Sequence, residues 1–222
     1  MKKSAIIINF IMMLLILIGD VFYIVKGTLL IKSITSILFV LLGAINLAFC
    51  LKAKTDKLKF CVIMLIGLFS AMLGDILLEI EFIVGAAFFA LGHVLFFASY
   101  CTLEKFSAKD LIYGCCIFIP CVLFIVLAPM FKFDSVLMEM VCVVYAIIIS
   151  LMVGKAIANF VKDKSMLNLI VLIGSLLFIF SDFMLLLNVF GGVGRLAGIF
   201  CLITYYPAEI LLAFSILRAG KN

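Results

Sequence analysis

Two aspartates, Asp75 and Asp182, sit inside long apolar runs of this 222-residue sequence. An Asp at the centre of a membrane helix costs about 2.5–3.5 kcal/mol on insertion scales, so carboxyls kept there face a bundle interior or a wet cavity and are functional candidates by default. A pair of carboxyls suits acid/base hydrolysis, with one protonated and the other ionised and activating water. The chain's single histidine, His93, lies near the middle of another apolar run, on a helical face shared with Phe89, Phe96, Phe97 and Tyr100. Tyr205 and Tyr206, with Glu209 one turn beyond Tyr205, lie in the last run; Lys32 opens the second run, and Asn46 is deep within it. Ser181 directly precedes Asp182, as Gly74 precedes Asp75, and small residues let membrane helices approach closely.

Each of these groups also has a plain structural role to weigh. The two aspartates can glue helices together or pair with Lys32, and His93 can be an interhelical hydrogen bonder. Lys32 can be a snorkelling anchor, and the tyrosine pair can be packing. Asp20, near a run's outer boundary, is expected at the interface, and Glu79 and Glu81 are expected to solvate a turn. One histidine and no cysteine cluster exclude the usual zinc sites. No GxSxG and no Walker A loop is present. The expected chemistry therefore uses no cofactor and no metal.

The elements that must position these groups follow from composition. The chain is 68% hydrophobic and 13% charged, with a mean hydropathy of +1.46, against roughly 45–50% and 25% in soluble domains. Lipid is the solvent that fits such a chain, and a span needs about 20 residues. Apolar runs at about 4–25, 29–51, 60–80, 82–103, 110–130, 135–160, 166–190 and 195–217 predict an all-α bundle of eight spans in a single membrane domain over 1–222. Met1-Lys2-Lys3 leads into a run too long for a signal-peptide core, which reads as the first span. The break at Glu79–Glu81 is the weakest.

Basic residues test the partition. With both ends inside, twelve of 17 fall in inside segments (Lys2, Lys3, Lys52, Lys54, Lys57, Lys59, Lys105, Lys109, Lys162, Lys164, Arg218 and Lys221). Four fall outside (Lys26, Lys32, Lys132 and Arg195), and Lys155 lies within the sixth run. This is the positive-inside bias, and merging the third and fourth runs would spoil it. The expected location is a cell membrane, multi-pass, of the bacterial cytoplasmic type. The basic residues punctuate spans instead of forming a stripe, so no nucleic-acid partner is expected. The eight cysteines form no CxxC and read as small, reduced, buried hydrophobes.

At a rise of ~1.5 Å per residue, Asp75 lies roughly 24 Å past the boundary near Lys59, and Asp182 lies about as far past Lys164. The two carboxyls thus share one depth and converge if the third and seventh spans are neighbours. Gly74-Asp75-Ile76-Leu77-Leu78 echoes Ser181-Asp182-Phe183-Met184-Leu185-Leu186, a hint of internal duplication, and Gly19-Asp20 is a fainter echo.

The segment from Ser70 through Gly74-Asp75 to Leu78, followed by Gly85 to Phe96 with its Gly92-His93, resembles the YhhN family of eight-span, lysoplasmalogenase-like proteins. Gly174 to Asp182 is similar to the family's Ser-Asp motif, Tyr205-Tyr206 to its final aromatic pair, and Lys32-Ser33-Ile34-Thr35 to a Lys-Pro-Leu-Thr element with Ser33 in place of proline. The resemblance covers about residues 30 to 217. It implies hydrolysis of the vinyl ether bond of lysoplasmalogens to a fatty aldehyde and a glycerophospho-choline or -ethanolamine, with Asp75 and Asp182 as the catalytic pair. The expected partners are a lysophospholipid substrate and membrane lipid. His93 and Tyr205 would orient water or headgroup, Lys32 would bind phosphate, and Asn46 and Ser181 would support the site. A proton- or cation-coupled small transporter, or a lipid-binding membrane protein, is the competing expectation.

Overall fold

The structure, a computed structural model, describes residues 3–220. Lys2 and Lys221, two of the residues expected inside, lie outside the described residues. The fold is all-helical: α1 (Lys3–Lys26), α2 (Leu29–Ala53), α3 (Leu58–Leu78), α4 (Phe82–Leu103), α5 (Ala108–Leu127), α6 (Val136–Lys162), α7 (Met166–Val189) and α8 (Arg195–Ala219). All eight are long and apolar enough to cross a membrane. Helices are the form this sequence must take in lipid, because each satisfies its own backbone polar groups.

Local chemistry sets the ends. The weakest break is a true one: α3 stops at Leu78, and the Glu81 carboxylate accepts from the backbone N–H groups of Ile83 and Val84 to start α4. Helix α5 ends three residues before the expected boundary, because Ala128 precedes Pro129 and takes an extended conformation (ψ 119°). Ser107 and Asp110 form a capping box that opens α5.

Asn9 of α1 and Asn46 of α2 exchange side-chain hydrogen bonds (2.7 and 3.0 Å), and Asn46 also donates to the Ala213 carbonyl of α8. The two ends of the described chain are thereby level at one end of the bundle, the terminal end. The loops after α1, α3, α5 and α7 lie at the opposite, distal end.

The packing pairs off. Helix α3 packs on α4 as α7 packs on α8, α2 on α3 as α6 on α7, and α2 on α8 as α6 on α4. The halves α1–α4 and α5–α8 therefore correspond, with α3 matching α7, which is where the sequence echo lies. The correspondence fails in two places. Helix α1 packs on both α2 and α8, whereas among the described residues α5 packs closely on α6 and meets α7 only through the Phe124 and Phe183 side chains. Helix α3 packs on α8, whereas α7 meets α4 only through side chains.

Two expectations are corrected here. Asp20 is not interfacial: it is buried, with Oδ1 partnerless among the described residues. The cysteines are all free, but Cys115 and Cys116 face outward and only Cys50 and Cys61 are fully buried.

Candidate active site

Helices α3 and α7 are not neighbours, as convergence of the aspartates had required; no packing contact joins them among the described residues. Their carboxylates instead line one cleft of about 310 Å³, which runs from the distal end down to Tyr205. Phe89 of α4, Phe178 of α7 and Tyr205 of α8 fill the space between the two helices, with ring centroids 5.4–6.5 Å apart. Gly74 makes room for this wedge, because a Cβ there would sit 2.8 Å from the Phe89 ring.

Asp75 is nearly sealed, with 3% of its side chain exposed. Its Oδ2 accepts from Ser36 Oγ (2.6 Å) and Tyr205 Oη (2.7 Å), and Lys32 Nζ lies 4.0 Å from Oδ1. That ammonium donates to Glu79 Oε1 at 2.8 Å, and the Tyr23 hydroxyl donates to the same oxygen at 2.7 Å. Glu79 therefore does more than solvate a turn: it ties α1 and α2 to the end of α3. Burial pushes the Glu79 carboxyl up, but the hydrogen bond and charge of Lys32, aided by Tyr23, outweigh it and hold the group below its ordinary value.

Asp182 is more open, at 14% exposed. Its Oδ2 accepts from Tyr145 Oη at 2.6 Å and lies 3.1 Å from His93 Nε2, which is itself 2.7 Å from the Tyr145 hydroxyl. His93 Nδ1 is buried with no partner among the described residues. The ring's hydrogen bonds are therefore made on Nε2, toward Asp182 and Tyr145. Each aspartate thus has two hydrogen-bonding neighbours on its Oδ2 oxygen, and the Asp75 wall alone carries a cation.

The remaining expected residues divide. Ser181 lines the cleft, its hydroxyl 3.4 Å from Cys201 Sγ. Tyr206 packs against Phe39 and Tyr205, with its hydroxyl unpartnered among the described residues. Glu209 is fully buried, and its carboxyl oxygens likewise meet no partner. Asn46 does not belong to the site: it is committed to Asn9 and Ala213 near the terminal end. An amide in an apolar helix looks the same in sequence whether it serves a site or joins helices.

Three contributors escaped the sequence reading. Tyr145 is the one tyrosine of α6, with no charged or amide neighbour at turn spacing. Ser36 lies one residue past the Lys32–Thr35 element. Arg195, exposed at the start of α8, lines the mouth of the cleft beside Lys32. Its place at a helix N-terminus, where backbone N–H groups also point outward, suits an anionic group.

Asp182 also borders a second space. An apolar groove of about 100 Å³ is lined by α4, α5, α6 and α7 and shares Leu78, Phe89, Asp182 and Leu185 with the cleft. In comparisons with known proteins, the model of the YhhN family matches residues 27–216, which takes in α2 to α7 and nearly all of α8. Nothing among the curated proteins or the solved structures matches.

Proposed function

The chain belongs to the YhhN family, and from that premise we propose that it is an intramembrane hydrolase of the lysoplasmalogenase type, cleaving the vinyl ether bond of a lysophospholipid without a metal. The observation that carries this reading is the pair of carboxylates on opposite walls of one cleft, each fixed by two neighbours on a single oxygen. That is the equipment a cation-forming hydrolysis asks for, as in glycoside cleavage.

The roles follow from the surroundings. Asp182, at the edge of the apolar groove, donates its proton to C2 of the vinyl ether, leaving an oxocarbenium ion shared by C1 and the ether oxygen. Asp75, with Lys32 at 4.0 Å, is the ionised partner: it takes a proton from the water that adds to C1. The resulting hemiacetal returns its hydroxyl proton to Asp182 as the C1–O bond breaks, and Asp75 passes its proton to the departing glycerol oxygen. Aldehyde and glycerophosphate ester leave, and both carboxyls are back where they began. Tyr145, Ser36, Tyr205 and His93 hold the two carboxyls in place.

The headgroup phosphate is bound at the cleft mouth. Arg195 suits this better than Lys32, whose ammonium already serves Glu79. Beneath Asp75 the bundle is closed by Phe39, Phe96, Phe178 and Tyr206, all fully buried. A cleft that ends on packed aromatics favours hydrolysis over passage of a proton or cation across the membrane.

The test is aldehyde release from a lysoplasmalogen by purified protein in detergent with EDTA present, beside Asp75→Asn and Asp182→Asn. Release by the wild type and by neither variant is expected. Full activity in either variant overturns the acid/base roles.

A further inference from the structure

We propose that the groove between α4, α5, α6 and α7 seats the single hydrocarbon chain of an amphiphile whose headgroup occupies the polar cleft, with Asp182 at the junction of the two. The inference deepens the hydrolase reading and rests on it for the identity of the amphiphile, but its geometry stands alone.

Three observations converge. The first is continuity. Cleft and groove share one wall, and Asp182 is the polar residue of that wall. The surroundings change character across it, from Lys32, Glu79, Asn188 and Arg195 on one side to Phe82, Ile125, Ile149 and Phe190 on the other. A molecule that is ionic at one end and apolar for the rest matches that change of lining, and the bond where its two parts meet falls beside Asp182 and Tyr145.

The second is the origin of the groove. In the first half, α1 packs on α2 and also on α8. Its counterpart α5 is pressed close on α6 where Gly154 meets Gly114, touches α7 only through Phe124 and Phe183, and does not pack on α4 among the described residues. The groove is therefore the seam that the second half leaves open where the first half is closed. A stretch of bilayer lipid could fill any such seam, but it would gain nothing from the Asp182 carboxylate and Tyr145 hydroxyl at its inner wall. Those two groups favour a chain that belongs to a substrate.

The third is the aromatic cover. Phe82, Phe133 and Phe190 meet at the distal end (centroids 5.0–5.6 Å), and Phe124 meets Phe131 and Phe183 at 5.4 and 5.5 Å. The loop carrying Phe131 and Phe133 is tied to α7 by the Lys132 N–H donating to the Phe190 carbonyl at 3.0 Å. With that end covered, the chain enters sideways from the bilayer and the headgroup enters from the aqueous mouth beside Arg195.

The experiment uses a non-hydrolysable 1-O-alkyl lysophospholipid carrying a diazirine partway along its chain, photolysed on the intact protein. Crosslinks are expected on the groove-lining stretches of α6 and α7, around Val141–Ser150 and Ile179–Leu186. The unlabelled alkyl lysophospholipid should compete them away, and glycerophosphocholine or a diacyl phospholipid should not. Crosslinks spread around the belt that no ligand displaces mean annular lipid only and overturn the proposal.

A second arm fills the groove. Ala146→Leu should cut turnover of long-chain substrate by about tenfold relative to short-chain substrate, the discrimination a methylene or two gives. Cys115→Leu, on the outward face of α5, should leave the chain-length profile unchanged. An unchanged profile in a folded Ala146→Leu protein overturns the proposal. If that variant does not fold, the crosslinking decides. Competable crosslinks without aldehyde release sink the hydrolase and keep the chain seat; aldehyde release without competable crosslinks does the reverse.

Discussion

The two halves of the molecule use the same frame for different chemistry. In the first, Asp75 on α3 is held by Ser36 of α2 and Tyr205 of α8; in the second, Asp182 on α7 is held by Tyr145 of α6 and His93 of α4. Helix for helix, these partners occupy matching positions. What differs is the cover. A lysine and α1 close the first site, leaving its carboxylate sealed and paired, while the second has no cation, a tyrosine in place of the serine and a histidine in place of the tyrosine, and an open apolar seam behind it. A duplicated frame can therefore divide the acid and base roles by changing the surroundings of one carboxylate while leaving the other's alone. In an apolar site, those surroundings decide which carboxyl holds a proton.

The comparison breaks most readily at the carboxylates. Asp75→Asn and Asp182→Asn should each lower kcat by about 10³-fold, the range of a lost general acid or base. Azide should speed consumption of substrate by Asp75→Ala, where the cation still forms and azide can add to C1 in place of water, and not by Asp182→Ala, where the cation never forms. Equal acceleration of the two would erase the difference between the halves.

Smaller changes sharpen it. Tyr145→Phe should cost about tenfold in kcat, the worth of one hydrogen bond that holds the reacting carboxyl. Tyr205→Phe removes one of the two hydrogen bonds on Asp75 and should likewise lower kcat about tenfold, without azide dependence. Arg195→Gln should raise KM about tenfold with kcat nearly unchanged, as expected for uniform binding of an anionic headgroup; a fall in kcat alone would place Arg195 elsewhere in the cycle. Asn46→Leu should lower thermal stability by about 1 kcal/mol, typical of interhelical hydrogen bonds in membranes, and leave kcat untouched.

The smallest effect concerns Glu79. Its carboxyl is held below its ordinary value in the folded protein, so it favours folding at neutral pH. That contribution is lost as pH falls through the folded-state value. A melting-temperature profile should show a modest decline on acidification that Glu79→Gln removes, limited because the side chain is 39% exposed.

How much of this the sequence disclosed depended on the element. Spans were legible because lipid demands long unbroken apolar helices, and even the faint break at Glu79–Glu81 survived. Asp75, Asp182 and His93 were legible because an ionisable group in such a run is costly and rare. For α4, three of the residues grouped with His93 on one face, Phe89, Phe96 and Tyr100, are buried with it, and the fourth, Phe97, is half-buried. Elsewhere a helix apolar on all sides gives no hint of which face turns inward. That is why Asp20 seemed interfacial, why Asn46 was assigned to the site, and why Tyr145 passed unnoticed. The neighbour relations of the helices, and with them the separation of α3 from α7, are a property of packing that no single run encodes.

The crossing of partners between halves has a consequence for biosynthesis. Asp75 is translated early, yet its Tyr205 arrives only with the last helix; Asp182 is translated late, and its His93 has been waiting in the first four. Neither half can finish its own carboxylate site. A ribosome that stops after α4 releases a chain with a half-satisfied acid in the bilayer, and so does a gene fragment that supplies only α5–α8. Co-expressed as two polypeptides, each with both ends on the same side, the halves would have a strong reason to find each other: each buried acid lacks one hydrogen-bonding partner that only the other piece supplies.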